Sequence, residues 1–213
     1  MSQGLRVLIA DDHPIVRRGL REILAAETRI AEVIEAAHPQ QVLDLARTCA
    51  CDVVVLDLGL PGRGGLEVLK DLRRDHPRLP VLILSMQPEE QYAVRALRAG
   101  AAGYLTKDAA PAKLIEAIHK VTTGGRYISP AVAEQLAAGL TSDVTKPPQE
   151  LLSDREYQVL RLIASGKTVG DIAEQLSLSV KTISSYRARI LEKMGMSNNA
   201  ELMLYAITNK LVD

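Results

Sequence analysis

The chain has 213 residues, 47% of them apolar and 24% charged, and its 26 basic residues balance 26 acidic ones. That length suits one large domain or two small ones, and the composition is globular rather than disordered or fibrous. A formal net charge of zero excludes a global field toward nucleic acid or a membrane surface, so any such contact must rest on a local patch.

The balance holds in each part: residues 1–148 carry 18 basic and 18 acidic residues, and residues 149–213 carry 8 of each. Trp and Phe are absent, so the cores must be built from Leu, Ile, Val and Ala. The first residues, Met-Ser-Gln-Gly-Leu-Arg, lack the charged and apolar regions of a signal peptide. No apolar stretch approaches the ~20 residues that a spanning helix needs. These features predict a cytoplasmic protein without membrane contact. Cys49 and Cys51 stand too close for a usual redox pair or half of a zinc site, and read as small packing residues.

In chain order, Leu5 to Ala10 is an apolar run that reads as a strand, followed at once by Asp11 and Asp12. Pro14 suits the first turn of a helix reaching about Ala26, with His13 or Asp12 as its cap. Ala31 to Ala36 is a short strand, and residues 39–48 have helical spacing with Val42, Leu45 and Ala46 on one face. Val53 to Leu56 is a buried strand ending in Asp57, with a turn at Pro61-Gly62. Helix (65–74, with Leu66, Leu69 and Leu72 inward), strand (80–84, closed by Ser85), helix (89–99), strand (102–105, closed by Thr106-Lys107) and helix (111–121) follow. Five βα units predict a parallel sheet with helices on both faces.

Ser129-Pro130 opens a further helix to about Leu140, inside a linker read over residues 123–150 whose end is polar and carries two prolines. Residues 151–213 read as helical throughout. Ser153 and Glu156 form a capping box, a second helix spans about 169–176, Ser179 caps a third that runs to about Met194, and Asn198 caps the last.

Asp11 and Asp12, Asp57, Ser85 and Lys107 fall at successive strand ends, which an open α/β sheet places along one edge. Three carboxylates at one point repel unless a cation compensates, and an all-oxygen set suits Mg²⁺. A carboxylate, a metal, a hydroxyl and an ammonium together are what phosphoryl transfer needs. Singly, each residue is more often a cap, a turn former or a solvated charge; their joint order is what carries the reading. Leu8-Ile-Ala-Asp-Asp-His-Pro, Val54-Val-Leu-Asp-Leu-Gly-Leu-Pro-Gly and Ala99-Gly-Ala-Ala-Gly-Tyr-Leu-Thr-Lys resemble the receiver domain of bacterial response regulators over residues 4–122. The resemblance implies a doubly wound, flavodoxin-like (βα)5 fold. It also implies that Asp57 accepts phosphate from a sensor histidine kinase, that Asp12 binds Mg²⁺ directly and Asp11 through water, and that the backbone carbonyl of Gly59 is a further ligand. Ser85 and Tyr104 become the switch pair, with Tyr104 turning inward on phosphorylation, and Lys107 pairs with the phosphate. Without the resemblance, Tyr104 reads as plain packing with a wet hydroxyl.

Between Lys181 and Lys193 there are four basic residues and one acid. Lys181, Ser184, Ser185 and Ala188 share one helical face, flanked by Arg187, Arg189 and Lys193, while Ile183, Ile190 and Met194 share another. A small polar stripe with basic flanks suits a base edge between phosphates, although a plain helical bundle gives the same pattern. Leu152-Ser-Asp-Arg-Glu-Tyr, Asp171-Ile-Ala and Ser179-Val-Lys-Thr-Ile-x-x-Tyr resemble the four-helix LuxR-type DNA-binding domain, here over 151–213. Joined to a receiver, this is the NarL/FixJ class. Two departures stand out: Thr182-Ile-Ser-Ser-Tyr186 where many members have Thr-Val-Lys-x-His, and Thr168-Val-Gly-Asp171 where many have Ser-Asn-Lys-Glu. Ser184 thus replaces a lysine that commonly faces DNA, and the pattern looks closer to the GacA/UvrY-like branch. The class implies a transcription regulator whose partners are the kinase, double-stranded promoter DNA through Lys181, Thr182 and the residues just named, a second copy when phosphorylated, and RNA polymerase. It implies no enzymatic turnover beyond self-phosphorylation from small donors and slow autodephosphorylation. Competing readings are an aspartyl-phosphate phosphatase or transferase, and a phosphate-independent DNA-binding protein with a relic receiver.

Overall fold

The five apolar runs of the first half form five parallel strands, β1 (Leu5–Ala10), β2 (Ile30–Ala36), β3 (Val53–Asp57), β4 (Val81–Ser85) and β5 (Gly103–Thr106), in the order β2-β1-β3-β4-β5. This computed structural model describes residues 4–141, 147–209 and 211–212. The helices between and after the strands are α1 (Pro14–Ala25), α2 (Pro39–Thr48), α3 (Gly65–Asp75), α4 (Glu89–Arg98), α5 (Ala110–Thr122) and α6 (Pro130–Thr141). The direction of winding reverses between β1 and β3, and the crevice beyond the carboxyl ends of such neighbours is where open α/β sheets bind ligands.

Strand side chains alternate. Val7, Ile9, Val53, Val55, Leu82 and Leu84 face a core closed by Leu20 and Leu24 of α1 and by Leu114, Ile118 and Val121 of α5. The intervening Leu8, Val54, Leu56 and Ile83 are equally inaccessible, so both faces of the sheet are covered, as parallel sheets require. Each such side chain contributes about 1.5–3 kcal/mol on burial. On α2, Val42 and Ala46 are buried as expected, but Leu43 rather than the half-buried Leu45 completes the inward face.

The chain divides into two units, Met1–Ser142 and Asp143–Asp213. The helix expected within a linker is α6, and it belongs with the first unit because it contacts α4. The segment leading to it is also anchored. Tyr127 N–H donates to the Ala102 carbonyl at 3.0 Å and Tyr104 N–H to the Tyr127 carbonyl at 3.1 Å, so residue 127 extends the sheet beside β5. Residues 142–146 of the polar stretch read as linker lie outside the described residues.

In the second unit a 3₁₀ turn at Pro148–Leu151 precedes α7 (Asp154–Ala164), α8 (Val169–Gln175), α9 (Val180–Met194) and α10 (Asn199–Thr208). The Ser153/Glu156 capping box forms, and Thr168 with Asp171 forms a second one. Ser179 and Asn198 cap α9 and α10. Each cap satisfies amides that the first turn leaves unpaired. Val159, Leu160, Ile172, Ile183, Ile190, Leu202 and Ala206 are fully buried, an aliphatic core for four short helices. Among the described residues, no helix is long and apolar enough to cross a membrane.

Candidate functional site

Parallel register sets the site. Ala10 is level with Leu56, Asp57 with Leu84 and Ser85 with Thr106, so the residues after β1, β3, β4 and β5 emerge along one edge. Asp57 ends β3 and is buried. Its Oδ1 accepts the Gly59 N–H at 2.9 Å, and its Oδ2 accepts Lys107 Nζ at 2.8 Å. Lys107 Nζ also lies 2.6 Å from Asp11 Oδ2, so one ammonium bridges two carboxylates from neighbouring strands. Asp11 Oδ1 accepts the His13 N–H at 2.8 Å, and Arg17 Nη1 donates to the Asp11 carbonyl at 2.7 Å. Gly65 opens α3 directly over this edge, where a Cβ would collide with the Asp57 carbonyl and Leu58 Cα.

Burial raises the Asp57 carboxyl above the usual carboxylate range against the opposing pull of Lys107 and the Gly59 amide, and the charge of Asp11 adds to the rise. Lys107 is raised too: burial works against its charge, but Asp57 and Asp11 outweigh it.

Ser85 and Tyr104 meet at one residue, Gln87, on the two peptides that flank it. Ser85 Oγ accepts the Gln87 N–H at 3.1 Å, and the Tyr104 hydroxyl donates to the Gln87 carbonyl at 2.9 Å. Both side chains are buried, and burial raises the Tyr104 phenol. Its hydroxyl is therefore not wet, contrary to the packing alternative, and the ring already lies inward.

A cation fits this edge. Asp11, Asp12, His13 and Asp57 each offer a ligand atom, all within 4.8 Å of one another. Asp11 Oδ2 and Asp12 Oδ1 are shut off from solvent, with Lys107 Nζ 2.6 Å from the first and His13 Nδ1 2.9 Å from the second. Three carboxylates this close carry more negative charge than one ammonium balances, and an oxygen-rich set of this kind suits a divalent cation. Gly59 is placed by its amide bond to Asp57. His13 is the member that the strand-end reasoning did not include. It was expected as a helix cap, but its ring makes no cap hydrogen bond, and neither does Asp12 supply one.

On α9, Lys181, Ser184, Ser185, Ala188 and Arg189 are exposed, while Ile183, Ile190 and Met194 face the core. Three of the expected DNA contacts have structural work. Lys193 Nζ donates to Glu156 Oε2 at 2.6 Å, Arg187 Nε donates to Asn199 Oδ1 at 2.6 Å, and Thr182 Oγ1 lies 2.7 Å from the capping Ser179 Oγ. Val180, overlooked because it is apolar, stands 56% exposed in the first turn, the part of a recognition helix that meets base edges.

Comparison with known proteins agrees with this division. Residues 7–119 match the response regulator receiver domain, and residues 150–206 match the bacterial regulatory proteins of the luxR family. The response regulator GacA of Pseudomonas viridiflava is 41% identical over 210 residues, 98% of each chain. The response regulator UvrY of Escherichia coli K12 is 38% identical over 208 residues, 97% of this chain and 95% of that one. Among solved structures, RcsB of Salmonella enterica serovar Typhimurium, bound to promoter rprA in the presence of phosphomimetic BeF3-, is similar with a TM-score of 0.64 and 30% identity over 95% of this chain and 98% of that one. A parallel sheet carrying an acidic edge, a capped four-helix unit and relatives matched along nearly their whole length lead to one assignment: the chain belongs to the two-component response regulators of the NarL/FixJ class, which join a receiver to a LuxR-type helix-turn-helix domain.

Proposed function

We propose that Asp57 takes a phosphoryl group from a sensor histidine kinase in the bacterial cytoplasm, and that the product favours a dimer that grips promoter DNA in a sequence-specific way. The observation that carries this reading is Lys107 Nζ held at 2.8 Å from Asp57 Oδ2 and 2.6 Å from Asp11 Oδ2 at the carboxyl edge of the sheet. In the transfer, the N–P bond of phosphohistidine breaks as a bond forms from an Asp57 carboxylate oxygen to phosphorus, and the electron pair leaves with the imidazole. Burial makes Asp57 more basic than a free carboxylate, which favours its attack. Lys107 is placed to exchange its carboxylate partner for a phosphoryl oxygen. Asp11, Asp12, Asp57 and the Gly59 carbonyl would hold Mg²⁺, which supplies positive charge to the phosphoryl oxygens.

Ser85 Oγ accepts the Gln87 N–H, stands beside the Tyr104 hydroxyl, and can turn its own hydrogen onto a phosphoryl oxygen. Tyr104 is already in the inward position that the reading assigns to the phosphorylated form, with its hydroxyl fixed on the Gln87 carbonyl. Ser85 and Tyr104 thus act on the two peptides of Gln87, a link from site to surface, and phosphorylation shifts the population of that arrangement. Two copies of α9 then meet adjacent half-sites on DNA, and RNA polymerase is the downstream partner.

Solution mass and DNA footprinting, with and without a small phosphodonor, test the reading. One phosphoryl group per chain, a doubled solution mass and stronger protection are expected, all lost in Asp57→Asn. A label that survives in Asp57→Asn overturns the site. Sustained turnover of a phosphomonoester marks a phosphatase instead, and footprints indifferent to the donor mark a relic receiver.

A further inference from the structure

His13 is the one member of the acidic cluster that phosphoryl transfer leaves without a task. Its Nδ1 lies 2.9 Å from Asp12 Oδ1 and 3.2 Å from Asp11 Oδ1, and it falls within 4.8 Å of a carboxylate oxygen of Asp57 as well. Ligand atoms about 2.0–2.2 Å from one ion lie no more than about 4.4 Å apart, so these four groups need only a small contraction to share an ion. Backbone geometry holds the imidazole there. His13 N–H is bonded to Asp11 Oδ1 at 2.8 Å, and Pro14 begins α1 immediately after it. The ring is at the N-cap position yet makes no cap hydrogen bond, so capping does not account for where it sits. Asp12 Oδ1, the atom it stands beside at 2.9 Å, is itself shut off from solvent, so ring and carboxylate already converge on one point.

We propose that His13 Nδ1 is a further protein ligand of the divalent cation at this edge, so that the site prefers a borderline ion such as Mn²⁺ over Mg²⁺. This rests on the cation site of the proposed function, which would hold Mg²⁺, and adds to it how that site ranks other divalent ions against Mg²⁺. Mg²⁺ takes oxygen ligands and gives up water reluctantly, whereas an imidazole nitrogen gains more from Mn²⁺ and the later divalent ions. Asp11, Asp12 and Asp57 supply the anionic charge that either ion needs; His13 supplies the discrimination. With its side chain 65% exposed, the ring can swing onto an arriving ion without opening the core.

The test uses the full chain titrated with Mn²⁺ and read by electron spin-echo envelope modulation. Wild type is expected to show the nitrogen modulation of a bound imidazole, and His13→Asn, which keeps a good N-cap residue, is expected to lose it. Competition between the two ions should show the preference for Mn²⁺ over Mg²⁺ falling by about tenfold in His13→Asn, the low end of what losing a supporting group costs a metal site. Labelling the histidines of wild type with ¹⁵N should convert the ¹⁴N pattern to the ¹⁵N one, a readout that needs no variant. Mn²⁺ bound without nitrogen modulation, modulation that persists in His13→Asn, or a preference equal in both proteins would overturn the proposal and leave the cation site standing. Failure of wild type to bind either ion would overturn the cation site itself.

Discussion

The Tyr104 ring is enclosed, and its hydroxyl, beside the Ser85 side chain, donates to the Gln87 carbonyl at 2.9 Å. Tyr104→Phe keeps the ring and removes that bond, so the receiver should lose about 0.5–1.5 kcal/mol, seen as a lower urea midpoint. If the bond also links the site to the surface, the variant should still accept phosphate one-to-one while its gain in DNA affinity on phosphorylation shrinks; an unchanged gain would confine Tyr104 to packing. Asp11, Asp57, Ser85 and Lys107 were legible because each follows an apolar run, and the end of a parallel strand fixes where a side chain emerges. Their pairing was not legible: nothing in the spacing says that one ammonium bridges Asp11 and Asp57. His13 was hidden because a residue before Pro14 reads first as a helix start. Val180 was hidden because exposure of a single apolar residue leaves no periodic trace.

At the scale of the element, the start of α7 combines two roles in one carboxylate. Glu156 accepts the Ser153 N–H at 2.8 Å and Lys193 Nζ at 2.6 Å, which ties the first helix of the unit to the last turn of α9. Burial alone would raise its carboxyl, but Lys193 and the Ser153 amide bring it below the ordinary value. A carboxyl whose folded value lies below its unfolded one adds stability that is complete above the unfolded value and is lost as pH falls through the folded one. Acidification below about pH 4.5 should therefore weaken the helix-turn-helix unit, and Glu156→Gln should lower its stability near neutrality by about 1.5 kcal/mol and flatten that acid limb. Unfolding of the full chain at pH 7 and pH 4 checks both; an equal acid limb in the two proteins would show that the pair adds nothing. Most elements were readable, since apolar runs and caps are local signals. The Tyr127 contact with β5, the 3₁₀ turn at Pro148–Leu151 and the inward place of Leu43 on α2 were not, because tertiary neighbours decide them.

For the whole molecule, zero net charge supplies no broad field, so the proposed grip on duplex would depend on a few cations of α9. Lys181 and Arg189 are exposed, whereas Lys193 is held by Glu156. Lys181→Ala should reduce the slope of log affinity against log salt by about 1 with little loss of stability. Lys193→Ala should instead lower the melting midpoint of the second unit and change that slope less. Equal slope changes would mean that DNA draws Lys193 away from Glu156. The contact that residue 127 makes with the sheet has a different consequence. An outermost strand with bare amides invites a foreign strand to add to it. Here β5 is outermost on its side, and the main chain of Tyr127 occupies Ala102 O and Tyr104 N–H. A chain ended at residue 122 would uncover those groups and should form strand-paired aggregates, detected by light scattering, that the same chain ended at residue 141 does not form. On that outcome the segment after α5 would be a guard rail against fibril growth, and a fragment meant to report on the receiver alone would have to include it.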